Sequence, residues 1–205
     1  LSIRRQRQMC IRDSICAAVD PKQTAQSFLR RWRASGTPRV LSIAGSDPSG
    51  GAGIQADLKS IAANGGYGMA ALTALTAQNT VGVRAVHVPP AEFLREQLDA
   101  ISDDIVIDAV KIGMLANADV IRAVSDWLDA MQPPIVVLDP VMVATSGDRL
   151  LDREAEVALR GLLERAHVVT PNLAELAALA DHPIDGWDDA LAAAAALSDL
   201  SLIHI

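Results

Sequence analysis

Polar and glycine residues follow several short apolar runs of this sequence, at points where strands of an α/β sheet would end. They are Gly45 to Asp47, Gln78-Asn79, Lys111 to Met114, Asp139 and Thr170 to Asn172. In open α/β sheets, ligands bind beyond the carboxyl ends of the strands. Carboxylates in such a place can hold Mg²⁺, and amides can bind a ring that carries both donors and acceptors. These positions are therefore the candidate site.

A glycine-rich segment, residues 44–53, lies between the first expected strand and the first expected helix. It is not a P-loop, because it lacks the Lys and Ser/Thr that close a Walker A motif. It fits a dinucleotide-binding fingerprint only loosely, at residues 51–56, since no acid stands between Asp57 and Glu92 to bind a ribose. A tight turn whose glycines serve only sterics is the structural alternative.

Asp57 lies on the apolar face of the helix that is expected to begin near Gly53. Spacings of three and four residues place it with Ile54, Leu58 and Ile61, so it should face the sheet. A buried carboxylate needs a partner. That partner could be a ligand or, in the structural alternative, a neighbouring backbone amide.

Gln78 and Asn79 end a strand of small residues. Their amides suit a heteroaromatic ring with an amine beside a ring nitrogen, although a turn capped by Asn79 would use the same residues. Lys111 also ends an expected strand, and its alternative role is that of a surface lysine beside a turn.

Two further segments carry carboxylates that could serve a metal. Asp139 follows an apolar strand and could bind Mg²⁺ directly or through water. Asn172 and Glu175 could organise Mg²⁺ and phosphate, but their spacing is also that of a helix-capping box.

Alternating apolar runs and amphipathic stretches from residue 39 onward predict a βα-repeating domain with a mainly parallel sheet. The expected strands are 39–44, 71–77, 84–88, 107–112, 135–139 and 166–169. The expected helices are 53–64, 90–102, 117–131, 152–164, 172–180 and, rich in alanine, about 187–198.

Composition excludes several classes of protein. The 25 acidic and 18 basic residues give a net charge of −7, which disfavours a nucleic-acid partner. No apolar run approaches the roughly 18 residues that a membrane span needs, so no membrane partner is expected. Both cysteines, Cys10 and Cys16, lie in the leading segment, and a core without thiols fits a reducing, cytoplasmic location.

The charge also divides the chain. Residues 1–38 are Arg-rich and are expected to be a non-native or disordered leader, with an organelle transit peptide as the alternative. Residues 39–199 form the expected domain. Residues 1–14 and 200–205 resemble translated sequencing adapter, so 200–205 is expected to be a non-native tail.

Five co-linear segments resemble the hydroxymethylpyrimidine/phosphomethylpyrimidine kinases of thiamin biosynthesis, which belong to the ribokinase-like superfamily. The segments are Ala44 to Asp57, Ala77 to Thr80, Lys111 to Met114, Leu138 to Val141 and Thr170 to Glu175. The resemblance runs from about Arg39 to about Leu197. It implies a three-layer α/β/α fold with a mainly parallel central sheet, incomplete at its C-terminus.

The resemblance also implies the reaction. Such enzymes use ATP and Mg²⁺ to phosphorylate 4-amino-5-hydroxymethyl-2-methylpyrimidine, and then phosphorylate the monophosphate to the diphosphate. The positions that match substrate-binding residues are Gln78, Asp57, Gly45, Met114 and Val141. Those that match the nucleotide side are Asp139, Asn172, Glu175 and Lys111, with Asp139 and Glu175 beside the metal.

One family feature is missing. The Gly-Thr-Gly-Cys-type loop that forms the anion hole and carries the reactive residue should follow well beyond Leu197. No catalytic residue is therefore assigned, and we expect a truncated kinase that transfers phosphate poorly, and a homodimer when complete.

Three other functions remain open. A pyridoxal or pyridoxine kinase would share the superfamily, and a non-catalytic pyrimidine-binding protein would share the pocket. A nicotinamide-dependent oxidoreductase is the weakest, because the acid that binds ribose is missing.

Overall fold

The computed structural model describes residues 36–142 and 153–198, together with the backbone of residues 203–204. The strands are β1 (Arg39–Ser46), β2 (Tyr67–Gln78), β3 (Val83–His87), β4 (Ala109–Ile112), β5 (Val136–Leu138), β6 (Val168–Val169) and β7 (Ile203–His204). The helices are α1 (Gly53–Ala63), α2 (Ala91–Ser102), α3 (Ala118–Met131), α4 (Arg153–Leu163), α5 (Leu173–Ala180) and α6 (Trp187–Ser198).

These strands form one sheet in the order β3-β2-β1-β4-β5-β6-β7. Every pairing described is parallel except that of β2 with β3. Parallel neighbours need crossover helices, and the alternation of strands and helices supplies them. The predicted α/β class with a mainly parallel sheet is confirmed.

The predicted elements and the observed ones differ mainly at their ends. β2 begins at Tyr67, four residues before the predicted start. The prediction missed these residues because Gly66 and Gly68 weaken the strand pattern in the sequence. β7 has no predicted counterpart and lies within the expected tail 200–205. Residues 1–35 of the expected leader, and the polar loop at residues 145–148, lie outside the described residues.

The two faces of the sheet are covered unequally. Buried side chains of one face, such as Leu41, Ile112 and Leu138, form a single large apolar cluster with side chains from helices α2 to α6. The other face carries α1 and a small cluster of Val40, Ala109 and Ile135. The alternation of side chains along a strand therefore decides which residues meet α1.

A β-bulge interrupts the pairing of β2 with β1. Ala44 pairs with Leu72 but Ser46 pairs with Leu75, so three steps along β2 match two along β1. The extra residue lies opposite Gly45, and both residues of the bulge, Thr73 and Ala74, are buried. Consecutive side chains can thus line one side of the sheet, which a regular strand does not allow.

The amide of Gln97, on α2, completes the hydrogen bonding of β2 next to this bulge. Its Oε1 accepts from Leu72 N over 3.0 Å, and its Nε2 donates to Leu72 O over 3.2 Å. The pairing with β3 begins only at Leu75, so Gln97 takes the place of a strand neighbour at Leu72.

Within the described residues, no helix is long and apolar enough to cross a membrane.

Candidate functional site

The carboxyl ends of the central strands meet at one edge of the sheet. Backbone hydrogen bonds of 2.8–2.9 Å join Gly113 N to Ile43 O, Asp139 N to Ile112 O and Thr170 N to Leu138 O. The residue that follows each strand is thus held by the strand beside it. This edge carries most of the site residues predicted from the sequence.

The glycine-rich loop folds around its own aspartate. Asp47 is 3% exposed, and its carboxylate accepts from Ser49 N, Ser49 Oγ, Gly51 N and Ala52 N at 2.7–2.9 Å. Burial disfavours the charged form, yet the bonds from Ser49 and from these backbone amides hold the pKa of Asp47 below its ordinary value. Asp47 therefore holds the backbone of the loop that leads into α1, through the amides of residues 49, 51 and 52.

Gly53 explains why the loop needs glycine at that point. Its φ is +55°, and a Cβ there would collide with the carbonyl oxygen of Gly45. The tight turn is thus a steric requirement, as the structural alternative held. Gln55 ties the loop to β1, since its Nε2 donates to Ser46 Oγ and its Oε1 accepts from Asp47 N.

A row of charged groups crosses from α1 to β5 on the face that α1 covers. Asp57 Oδ2 accepts from Ser42 Oγ at 2.8 Å and lies 3.2 Å from Lys111 Nζ. The same Nζ lies 3.6 Å from Asp139 Oδ2. Ser42 and Lys111 are paired in the register of β1 and β4, so their side chains share this face. The prediction that Asp57 faces the sheet is confirmed, and its partners are Ser42 and Lys111.

Two carboxyl groups of this edge favour their neutral form more than usual. Burial raises the pKa of Asp139, and the charge of Asp57 adds to this while Lys111 opposes it. Burial also raises the pKa of Glu175, to about 7, with a further contribution from the charge of Asp139. A cation between such carboxylates would favour their charged forms.

Asn172 and Glu175 form the capping box that the sequence allowed. Asn172 Oδ1 accepts from Glu175 N, and Glu175 Oε2 accepts from Asn172 N, each over 2.9 Å. Glu175 is buried, whereas Asn172 is exposed. The structural interpretation of this pair is confirmed, and its part in binding phosphate or metal stays a prediction.

Met114 packs against Gly45 at the same edge of the sheet as the charged row. A Cβ on Gly45 would come within 2.7 Å of Met114 Cε, so these two residues are in contact only because position 45 has no side chain. The backbone of Met114 is held by buried Thr73, whose Oγ1 donates to Met114 O over 2.6 Å. Gly113 lies close to the charged row, since a Cβ there would lie 2.9 Å from Lys111 Nζ.

Gln78 and Val141 lie at the margins of this arrangement. Gln78 Oε1 is 3.4 Å from Thr76 Oγ1, which donates to Ser46 O over 2.8 Å, so Gln78 is connected to the end of β1. Val141 N donates to Asp139 O over 2.8 Å. No contact described for residues 36–142 joins Gln78 to Asp57, and the binding roles of Gln78 and Val141 stay predictions.

Sequence analysis did not single out Ser42, Thr73 or Gln55, each of which contacts a candidate residue. It also missed Gln97, which bonds to the backbone of β2 beside the bulge. Ser42 could have been found, because a hydroxyl inside an apolar strand requires a partner. Asp47 begins an Asp-Pro-Ser-Gly turn, which is typical of an aspartate that accepts from the amides after it. No feature of the sequence predicts the bulge. The roles of Thr73 and Gln97, which depend on the bulge, could therefore not be predicted either.

The donor set suits a hard divalent cation that is carried mainly by another ligand. Mg²⁺ prefers oxygen ligands, keeps several waters, and commonly binds one or two carboxylates together with substrate phosphates. Asp139 and Glu175 supply two carboxylates that interact electrostatically. The described part of the chain holds no group of three or more His, Cys, Asp or Glu that could enclose a metal by itself.

The chain is similar in sequence to phosphomethylpyrimidine kinases. The model of the phosphomethylpyrimidine kinase family matches residues 47–205. The hydroxymethylpyrimidine/phosphomethylpyrimidine kinase of Escherichia coli is 53% identical over 145 residues, which are 70% of this chain and 54% of that protein. The chain thus spans about half the length of this curated relative, and a smaller share of longer ones.

Solved structures show the same fold. The crystal structure of phosphomethylpyrimidine kinase from Clostridium difficile has a TM-score of 0.76 and 41% identity, and covers 80% of this chain and 71% of that one. A pyridoxal kinase from Staphylococcus aureus, in complex with pyridoxal, has a TM-score of 0.73 and 34% identity, covering 81% of this chain and 62% of that one.

Proposed function

The chain belongs to the phosphomethylpyrimidine kinase family, and from that premise we propose that its site serves ATP- and Mg²⁺-dependent phosphorylation of 4-amino-5-hydroxymethyl-2-methylpyrimidine and of its monophosphate. One observation carries the proposal. The contact between Gly45 and Met114 lies at the same sheet edge as the row of charges that runs from Asp57 through Lys111 to Asp139.

The flat ring would lie against Gly45 and Met114. Gly45 has no side chain, Met114 is apolar and flexible enough to move its methyl group away from Gly45, and Val141 lies next to Asp139. Asp57 and Gln78 supply the polar groups for the ring, since a carboxylate accepts and an amide both donates and accepts.

The charged end suits the nucleotide. Asp139 and Glu175 would hold Mg²⁺, which supplies charge neutralisation for the phosphates when it is bound. Asn172 lies at the N-terminus of α5, where backbone N–H groups and the helix dipole favour an anion. Lys111 balances the charges of Asp57 and Asp139, and its own contact with the nucleotide is part of the proposal.

The neighbouring structures also support a second candidate, a pyridoxal or pyridoxine kinase. Side-by-side kinase assays of the whole protein with the aminopyrimidine alcohol and with pyridoxal decide between them. We expect a higher kcat/KM for the pyrimidine. A higher value for pyridoxal would overturn the assignment, and tight binding of the pyrimidine without turnover would favour the non-catalytic binding protein.

Further properties of the whole protein belong to the same proposal. We propose a cytoplasmic homodimer whose partners are its small-molecule substrates. Light scattering would show twice the mass of one chain if the dimer forms.

A further inference from the structure

Asp57 is bound through only one of its two carboxylate oxygens. Ser42 Oγ donates to Oδ2, and Lys111 Nζ lies against the same Oδ2. Among the contacts described for residues 36–142 and 153–198, none involves Oδ1, and the side chain is 19% exposed. Oδ1 is therefore the oxygen left to accept from a ligand.

Ser42 is well placed to hold this carboxylate in one orientation. It is completely buried in β1, and its hydroxyl approaches Asp57 from within the sheet. Hydrogen bonds to a charged group are stronger and shorter than those between neutral groups. With Ser42 and Lys111 both on one oxygen, tilting the carboxylate out of this orientation would break two interactions at once.

We propose that Ser42 is a positioning residue for substrate selection: with Lys111 it fixes Asp57 so that Oδ1 accepts from an amino group of the bound ring. The inference rests on the proposed function and deepens it. An ionised carboxylate can only accept, so a ring with a donor at this point is bound and a ring with an acceptor there is repelled.

The experiment compares two ligands on the same protein by titration calorimetry. One is 4-amino-5-hydroxymethyl-2-methylpyrimidine, and the other is its analogue with hydrogen in place of the amino group. We expect wild-type protein to bind the aminopyrimidine about tenfold more tightly, as a hydrogen bond to a charged group should allow. In Ser42→Ala, affinity for the aminopyrimidine should fall about fivefold while that for the analogue stays unchanged.

Two further variants make the test specific. Ser125→Ala removes a hydroxyl that donates to Ile121 O over 2.9 Å on α3, across the sheet from Asp57, and should leave both affinities unchanged. Lys111→Met removes the other partner of Oδ2 and should also reduce the preference for the amino group. Thermal unfolding of each variant shows whether it is folded. If Ser42→Ala does not fold, Lys111→Met is used in its place to test whether the partners of Oδ2 orient Asp57.

The outcomes separate this inference from the proposed function. If wild-type protein binds both ligands equally well, the pyrimidine site stands and the selection by Asp57 is wrong. If Ser42→Ala weakens both ligands equally, Ser42 supports the fold of the site and does not position Asp57. If wild-type protein binds neither ligand, the proposed function fails, and this inference fails with it.

Discussion

At the scale of single residues, Asp47 shows how a buried carboxylate can shape a loop without acting on a ligand. Its oxygens accept from three backbone amides of the loop that precedes α1. Asp47 therefore fixes the path of the glycine-rich loop along this edge of the sheet.

Replacement of Asp47 by Asn should make stability less dependent on acid pH. The pKa of Asp47 is lowered in the folded state, so its contribution is complete above its ordinary value of 3.8 and is lost as pH falls through the lowered value. We expect Asp47→Asn to cost about 1–3 kcal/mol at pH 7 and less at pH 3. Urea unfolding at both pH values measures the difference, and exposed Asp104→Asn is the control; an equal cost at both pH values would contradict the expectation.

Gly53 and Gly161 make a matched pair for the effect of an added methyl group. Gly53→Ala places a Cβ against the carbonyl oxygen of Gly45 at a positive φ, and should cost about 1–3 kcal/mol. Gly161 lies within α4 with nothing within 4 Å of its Cβ position, so Gly161→Ala should stabilise by about 0.5–1 kcal/mol. Thermal unfolding of both variants tests this difference, and a shift of the same sign in both would count against it.

At the scale of elements, β2 depends on a side chain from α2 for its hydrogen bonding. Gln97→Met removes both bonds to Leu72, and should cost about 1–3 kcal/mol because two backbone groups lose their partners. Hydrogen exchange at the Leu72 amide should accelerate at the same time. Glu96→Met, on the exposed side of the same helix, is the control, and unchanged exchange at Leu72 would show that water or another group replaces Gln97.

The sequence predicted the elements well and their fine geometry less well. α1 and α3 agree with prediction within one residue, because their apolar spacing and flanking polar residues mark them. The same spacing placed Asp57 against the sheet. Its partners could not be predicted, since they depend on the register of β1 with β4, which brings Ser42 beside Lys111.

At the scale of the molecule, the unequal faces of the sheet should differ in how strongly they hold the fold. Ile112 is fully buried in the large cluster, whereas Ile135 is 9% exposed in the small one. Ile112→Val should therefore cost about 1–1.5 kcal/mol, and Ile135→Val about 0.5 kcal/mol. Chemical denaturation of the two variants measures this, and a larger cost at Ile135 would show that the small cluster is packed more tightly than its exposure indicates.

The fold class, too, was accessible from sequence, because alternating strands and helices leave few topologies. The small size of the apolar cluster under α1 could not be predicted from the sequence, since it depends on which helices lie on which face of the sheet.

The bulge in β2 also affects which single-codon deletions the strand should tolerate. Because it already holds one residue more than β1 requires, loss of the codon for Ala74 should leave Leu75 paired with Ser46 and Gln78 on its present face. A codon lost from residues 67–72 would instead remove a residue that is regularly paired with β1, and should be tolerated less well. Within this one strand, the tolerance of the protein to a deletion should thus change from one codon to the next.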